Sequence, residues 1–552
     1  MSKIIGAAIG NCVHVAGVLS FLNLARRLGH DTEFLGAAVS VDDLIRAIRE
    51  RDPDIVAASY RLTPEVAREL FADLARRVRD EGLERKRYVV GGTPPVCEVA
   101  NETGLFEAAF SGAEGPEEVI AYLRGEHLAR TPEDYGTTLL ERLERKAPYP
   151  LLRHHYGRPT VEETVRGARQ IAEARVLDVL SIGPDQNAQE HFFRPEEMKD
   201  ELSGAGGVPL RSPDDLRAIY EATRTGNYPL LRIYSGTRDL VKWAEVATDT
   251  IHNAWAAIPL CWYNTLDRRA DRPPEQSIAE NQQAIRWYAE RGIPVELNEP
   301  HHWSLREAHD ALSVAMAYVA AYNAKALGVR HYVSQYMFNT PATMYAAMDL
   351  AKMLAQAEAV ESLHDDGFAS IRQTRAGLLH FSTDPDIAKG QLASSTVVQL
   401  ALDPRIIHVV GFCEGDHAVT AEELIESCRI ADGVLRNCLA GMANLKADPA
   451  VHARKQHLLR QAEVTVAAIR ALGDGETDAL IGPATLARAI RDGIFDAPHL
   501  CGNPDAAGRL ATQAIDGAIE PIDLDTGKPI TEEQRVERVL GRVPEMQDRL
   551  SY

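Results

Sequence analysis

The side chain whose type and setting best suit a metal is His14. It sits in Asn11-Cys12-Val13-His14-Val15-Ala16-Gly17, between the apolar run KIIGAAIG and the helical pattern VLSFLNLARRLG. Imidazole is a good nitrogen donor, and a loop above a sheet lets it project into a ligand. Gly17 permits close backbone approach at the turn. Two more loops follow apolar runs in the same way: Ser59-Tyr60-Arg61-Leu62 and Gly91-Gly92-Thr93-Pro94-Pro95. The glycine pair leaves space for a broad group to lie flat. Farther along, Asp185, Gln186, Gln189, Glu190 and His191, and the run Glu299-Pro300-His301-His302-Trp303, put polarity at the ends of apolar segments. Such groups need partners if buried, and a ligand is one. The adjacent His301 and His302 also suit a second metal, although their spacing matches no standard ligand pattern.

The elements that must position these residues alternate regularly. Residues 3–124 read as five short strands separated by amphipathic helices, a doubly wound parallel sheet with ligands at the carboxyl ends of its strands. Residues 125–160 carry little apolar periodicity. From 161 to 500 the alternation resumes, with VLDVLSIG, PLLRIYS, AIPLCWY, IPVELNE, VRHYVSQY, AGLLHFST and IIHVVGF as candidate strands. That count suits a (β/α)8 TIM barrel, whose chemistry sits at the C-terminal strand ends. The expected α/β organisation is a flavodoxin-like domain over 1–125, a linker over 126–160, a barrel over 161–500 and a polar, peripheral C-terminal extension over 501–552.

Composition narrows the function. A formal net charge of −20 argues against a nucleic-acid partner, which draws on clustered Lys and Arg. Seven cysteines, scattered and never in a CxxC pair, fit a reducing compartment, and no segment reads as a signal peptide or membrane span, so a cytoplasmic location is expected. No Gly-x-Gly-x-x-Gly follows the first strand and no nucleophile elbow occurs. A pyridoxal Schiff base needs a lysine in the site, and Lys325 and Lys352 read as helix-surface residues.

The three N-terminal loops, in this order, resemble the cobalamin-binding domain of methionine synthase, methylmalonyl-CoA mutase and glutamate mutase. That family's pattern is Asp-x-His-x-x-Gly, then Ser-x-Leu, then Gly-Gly. The resemblance implies that His14 ligates cobalt from below in place of the cofactor's own base. It also implies that Cys12, Gly17, Ser59, Leu62, Gly91, Gly92 and Thr93 line the cofactor groove. Two departures stand out. Cys12 replaces the aspartate that would orient the imidazole, and the serine motif is one residue longer.

The barrel segment resembles the large subunit of glutamate mutase, through PPEQSIAENQQAIRWYAERGIPVELNEPHHW, ALGVRHYVSQY, GFCEGDHAVTAEE and the Leu-Gly-Asp-Gly stretch near residue 474. The resemblance implies adenosylcobalamin as cofactor, a homodimer and a radical 1,2-rearrangement begun by a 5′-deoxyadenosyl radical. It carries a substrate-binding role to Glu299, a strand-end role to Tyr336 and a place near the adenosyl ribose to Glu414. Of the family's three carboxylate-binding arginines, Gln189 stands at the first position, Arg211 at the second, and Arg232 or Arg238 near the third. Val410 replaces a lysine. The substrate expected is therefore a small carboxylic or amino acid other than glutamate, held by Arg211 or Arg232 and by Glu299, with Asp185 on the same rim. A corrinoid-dependent methyltransferase, favoured by Val410, and a non-catalytic corrinoid carrier or sensor are the alternatives.

Overall fold

A computed structural model describes residues 1–126, 131–473 and 478–541, in two compact units. Residues 1–135, 144–149 and 439–441 form the first; 136–143, 150–438 and the chain from 442 onward form the second. The second half of the Leu-Gly-Asp-Gly stretch (472–475), within 474–477, and the last part of the tail, 542–552, lie outside the described residues. Among the described residues no helix is long and apolar enough to cross a membrane.

In the first unit the strands are β1 (Lys3–Ile9), β2 (Asp31–Val39), β3 (Ile55–Tyr60), β4 (Arg87–Gly92) and β5 (Ala108–Phe110). The helices are α1 (Ala16–Arg27), α2 (Val41–Arg51), α3 (Pro64–Asp80), α4 (Pro94–Glu102) and α5 (Pro116–Arg124). The sheet is parallel in the order β2-β1-β3-β4-β5, the flavodoxin-like arrangement whose switch point lies between β1 and β3. Strand alternation sorts the side chains onto two faces. Ile4, Ile55, Ala57 and Val89 pack with Val18 and Leu22 of α1 and with Ile120 and Leu123 of α5. Ile5, Val56, Tyr60 and Val90 pack with Leu44, Phe71 and Val96 on the other face. Both faces are covered, which explains why the strands read as continuous apolar runs.

The second unit is built on eight parallel strands: β6 (Leu151–Tyr156), β7 (Val179–Ile182), β8 (Leu230–Ile233), β9 (Ala256–Ile258), β10 (Val295–Leu297), β11 (His331–Phe338), β12 (Ala369–Ala376) and β13 (Ile406–His408). Their order is β8-β7-β6-β13-β12-β11-β10-β9, and a parallel bridge between Tyr234 and Ala257 links the two ends, so the barrel is nearly closed. Ser235 N–H donates to Ala257 O there at 3.1 Å.

The segment 126–160, expected as a linker, thus contains the barrel's first strand, β6. Its inward-facing Arg153 and His155 hid a strand whose apolar residues, Leu152 and Tyr156, pack outward. The strand expected at AGLLHFST is Ala369–Ala376 instead, and Leu378–His380 is a short 3-10 turn. Lys352 is not a surface residue: it is fully buried, donating to Thr340 O at 2.7 Å beside Asp310 and Asp349. Nor is the tail all peripheral. Val536 joins the core, and Arg535, paired with buried Glu532, donates to Gly493 O and Ile494 O.

Candidate functional site

The carboxyl edge of the first sheet is held open by its loops. Tyr60 Oη donates to Asn11 Oδ1 at 3.2 Å, Cys12 N–H to Ile9 O at 3.2 Å, and Ala38 N–H to Cys12 O at 2.9 Å. These bonds bury Cys12 and leave Val13 and His14 exposed. Cys12 Sγ lies 3.7 Å from His14 Nδ1. The thiol therefore stands where the resembling family has a carboxylate, and engaging Nδ1 leaves Nε2 as the outward donor. Beyond the loop a Cβ on Gly17 would meet nothing within 4 Å. Ala8, Ser59, Gly91 and Phe110 are register neighbours across four strands, and a Cβ on Gly91 would find only Phe110 O, at 3.9 Å. Three of these four residues, Ala8, Ser59 and Gly91, are small, and an edge of small residues at the carboxyl ends of the strands fits a broad, flat ligand.

The other expected residues divide. A Cβ on Gly92 would sit 2.7 Å from Val96 Cγ1 and 2.9 Å from Tyr60 O, so its glycine is required by packing. Leu62 packs with the core on the α2–α4 side. Ser59 is buried in the register row, and Thr93 immediately precedes α4.

In the barrel the lowest inner layer is apolar: Leu151, Val179, Leu230, Trp255, Val333 and Ile406. The layer above is polar and strongly cationic. Arg153 donates to Ser181 Oγ at 2.7 Å, Gln373 Oε1 at 3.2 Å, His408 Nδ1 at 2.9 Å and His155 Nε2 at 2.8 Å. Arg232 reaches Ser181 at 3.3 Å and Glu296 at 3.5 Å, and Trp255 Nε1 donates to the same Glu296 oxygen at 2.7 Å. Arg375, in register with His408, donates Nε–H to Ala376 O at 3.1 Å.

Three buried arginines thus share this interior with Glu296. Among the described residues no carboxylate lies at ion-pair distance from Arg153 or Arg375. Burial, then the charge of Arg232, pulls the Arg153 guanidinium down to about 9. Burial and the neighbouring arginines hold His155 and His408 well below the usual imidazole range, and burial with Arg375, Arg306 and Arg153 brings His301 down to about 3. Surplus positive charge in a desolvated interior calls for an anion, and guanidinium forks match carboxylates.

The barrel residues singled out from the sequence lie apart from one another. Arg232 belongs to the cationic layer. His301 does too, its Nδ1 facing Gln335 Nε2 at 3.1 Å and its ring stacked on His302 at 4.8 Å. Among the described residues neither histidine joins a three-ligand metal cluster.

Glu299 is fully buried and its oxygens are committed. Oε2 accepts from Leu260 N–H and Cys261 N–H at 2.8 and 3.1 Å, and Oε1 from Trp303 Nε1 at 3.0 Å. Burial pushes its carboxyl up while those donors hold it down. Asp185 caps a short helix through Ala188 N–H and pairs with Arg211 at 2.6 and 3.1 Å, so each occupies the other. Arg238 pairs with Glu197 at 3.0 Å and Glu190 at 3.4 Å. Tyr336 points out of the barrel into the layer of Phe338, Leu350 and Met353, because the inward position on β11 is Gln335. Glu414 folds onto its own loop, accepting from Gly411 N–H at 2.8 Å and facing His154 Nε2 at 3.3 Å.

Arg153, Arg375, Glu296, His155 and His408 were missed from the sequence. Period-two polarity within LLRHHY was the available signal for the first strand.

No curated protein matches this chain. Among solved structures, a novel cobalamin-binding protein from Desulfitobacterium hafniense DCB-2 is similar at 26% identity, over 20% of this chain and 52% of its own, with a TM-score of 0.18. The cobalamin-dependent S-adenosylmethionine radical enzyme OxsB, in its apo form, is similar at 13% identity over 87% of this chain and 63% of its own, also with a TM-score of 0.18. With aqua-cobalamin bound the figures for OxsB are 12%, 87% and 64%, and again 0.18. The matches span from about half to just under two thirds of those proteins' length, and at such TM-scores they bear on neither the barrel nor its chemistry. Residues 2–120 match the family model of the B12 binding domain, so cobalamin binding by the first unit is supported by a family match as well as by the geometry of its loops.

Proposed function

We propose that this chain is a cobalamin-dependent enzyme that rearranges the carbon skeleton of a small carboxylic acid held inside the barrel. The observation that carries the reading is the inner layer in which Arg153, Arg232 and Arg375 outnumber Glu296. When bound, the corrinoid supplies a weak cobalt–carbon bond as a source of a radical or of a methyl group.

The chain's own residues do the rest. Arg232, braced by Glu296 and Ser181, and Arg153, braced by Ser181 and Gln373, present N–H groups to a substrate carboxylate. Arg375 is available to a second anionic or carbonyl group. Gln335 Nε2 donates to His301 Nδ1, so the neutral imidazole carries its hydrogen on Nε2 and is a donor to a substrate oxygen. The apolar floor keeps water from below, as reactive intermediates require.

A methyl-transfer reading is favoured by one loop. Val410 is apolar and buried, and Glu414 is turned onto Gly411 N–H, so neither is free to hold a nucleoside ribose. An iron–sulfur centre needs clustered thiolates, and the nearest two cysteines in this sequence are Cys428 and Cys438.

The test is turnover of the full chain loaded with adenosylcobalamin against a panel of small mono- and dicarboxylic acids and amino acids. An isomerised acid together with 5′-deoxyadenosine supports the rearrangement. Acid-dependent loss of methyl from methylcobalamin without 5′-deoxyadenosine moves the reading to methyl transfer. No calorimetric binding of any acid, or binding unchanged in Arg153→Met, overturns both.

A further inference from the structure

We infer that the loop following β13 is a zinc site, with Cys413 Sγ, His417 Nε2 and Glu423 Oε1 as ligands and a fourth position for water. The three ligand atoms lie within 4.8 Å of one another, and among the described residues this is the one such group. They come from a 3-10 turn (Phe412–Gly415), the segment after it and the first turn of the helix Ala421–Ala440. Neither the corrinoid loops nor the cationic layer uses them.

Two of the ligands are already aimed by a second group, the feature that separates a metal site from a chance cluster. Asp416 Oδ2 lies 2.9 Å from His417 Nδ1. A carboxylate on the far imidazole nitrogen fixes the ring and leaves Nε2 to coordinate. Glu423 Oε2 accepts from Thr420 N–H at 2.9 Å and Thr420 Oγ1 at 2.8 Å, which leaves Oε1 as the coordinating oxygen. That oxygen meets His417 Nε2 at 2.9 Å, so a proton now bridges the place a cation would take. Cys413 is buried beside them. Zinc would take the place of the proton on sulfur and of the one between imidazole and carboxylate.

Tetrahedral zinc, with bonds of about 2.3 Å to sulfur and about 2.0–2.2 Å to nitrogen and oxygen, separates its ligands by about 3.3–3.7 Å. The His417 side chain, about half exposed, is the one of the three with room to adjust. Two anionic ligands and one neutral ligand suit a divalent ion of intermediate softness, and three protein ligands leave the coordination sphere open. The position is beyond the C-terminal end of a barrel strand, the face where barrel enzymes place chemistry.

The test is zinc content and Co(II) titration of the full chain prepared without corrinoid. We expect about one equivalent of zinc, and with Co(II) an intense thiolate-to-cobalt charge-transfer absorption that Zn(II) abolishes and Cys413→Ser lacks. His417→Ala, a surface change, should weaken binding at least a hundredfold and keep the fold if the cysteine variant does not. Asp416→Asn should weaken it about 10–100-fold without removing the charge-transfer absorption. Absence of binding, cobalt spectra without thiolate absorption, or affinity indifferent to His417→Ala would each overturn the assignment.

Discussion

At His14 the decisive matter is which ring nitrogen is left over. Nδ1 faces Cys12 Sγ at 3.7 Å, so Nε2 is the atom left for a ligand, cobalt in the reading proposed above. A thiol is a weak hydrogen-bond partner beside the carboxylate of the resembling family, and it orients the imidazole less firmly. The expected outcome is a split between the two residues. With Co(II) cobalamin bound, the EPR spectrum should show nitrogen superhyperfine triplets that disappear in His14→Ala. In Cys12→Ala the triplets should persist and cobalamin affinity should fall by less than about tenfold, the low end of what losing an orienting partner costs a metal site. Triplets that survive His14→Ala would remove the histidine from cobalt.

At the scale of the element, β6 and β10 show how a strand is at once scaffold and site. Glu296 is in the barrel with Arg232 at 3.5 Å and Trp255 Nε1 at 2.7 Å, and it offsets a layer that also holds Arg153. Replacing it by glutamine keeps the shape and leaves buried cations without a counter-charge, which costs about 3–5 kcal/mol. Denaturant unfolding of Glu296→Gln should register that loss, and a bound small acid should restore part of it by mass action. A loss below about 1 kcal/mol would mean that the layer is already neutralised by other groups.

The same elements explain what could be read from the sequence. In the first unit, strands buried on both faces write long apolar runs, and the loops after β1, β3 and β4 stand out against them; the places of His14, Ser59 and Gly91 at the carboxyl ends of strands were therefore legible. In the barrel the inner face is polar, so β6 alternates Leu151, Arg153 and His155 against Leu152, His154 and Tyr156 and resembles a loop. Tyr336 and Glu299 have the residue types of a site but serve the outer layer and the backbone of a neighbouring loop. Which face a side chain takes depends on register, and one residue of slip reverses it.

At the scale of the molecule, the buried histidines are unevenly shared. His154, His155, His301, His302, His309 and His408 all lie in the second unit, and each is held below the usual imidazole range chiefly by burial, His301 at about 3 and His309 at about 4. In the unfolded chain these groups protonate near pH 6.5. Between that pH and about 4 the unfolded state therefore binds more protons, and stability falls as pH falls. By pH 5 a histidine such as His301 has withdrawn about 2 kcal/mol. Asp349, raised to about 6 by burial, acts in the opposite sense, gaining its proton first in the folded state, but its contribution over the same range is about 1–2 kcal/mol. The histidines outweigh it. All five tryptophans, Trp243, Trp255, Trp262, Trp287 and Trp303, also lie in the second unit, so their fluorescence follows that unit alone. Thermal melts read by tryptophan emission should shift down by several degrees between pH 7 and pH 5. His301→Gln, which cannot gain the proton, should flatten the shift measurably. A melting temperature that holds steady or rises over this range would show that the histidines are not neutral in the folded barrel, and would undercut the cationic layer's claim to need an external anion.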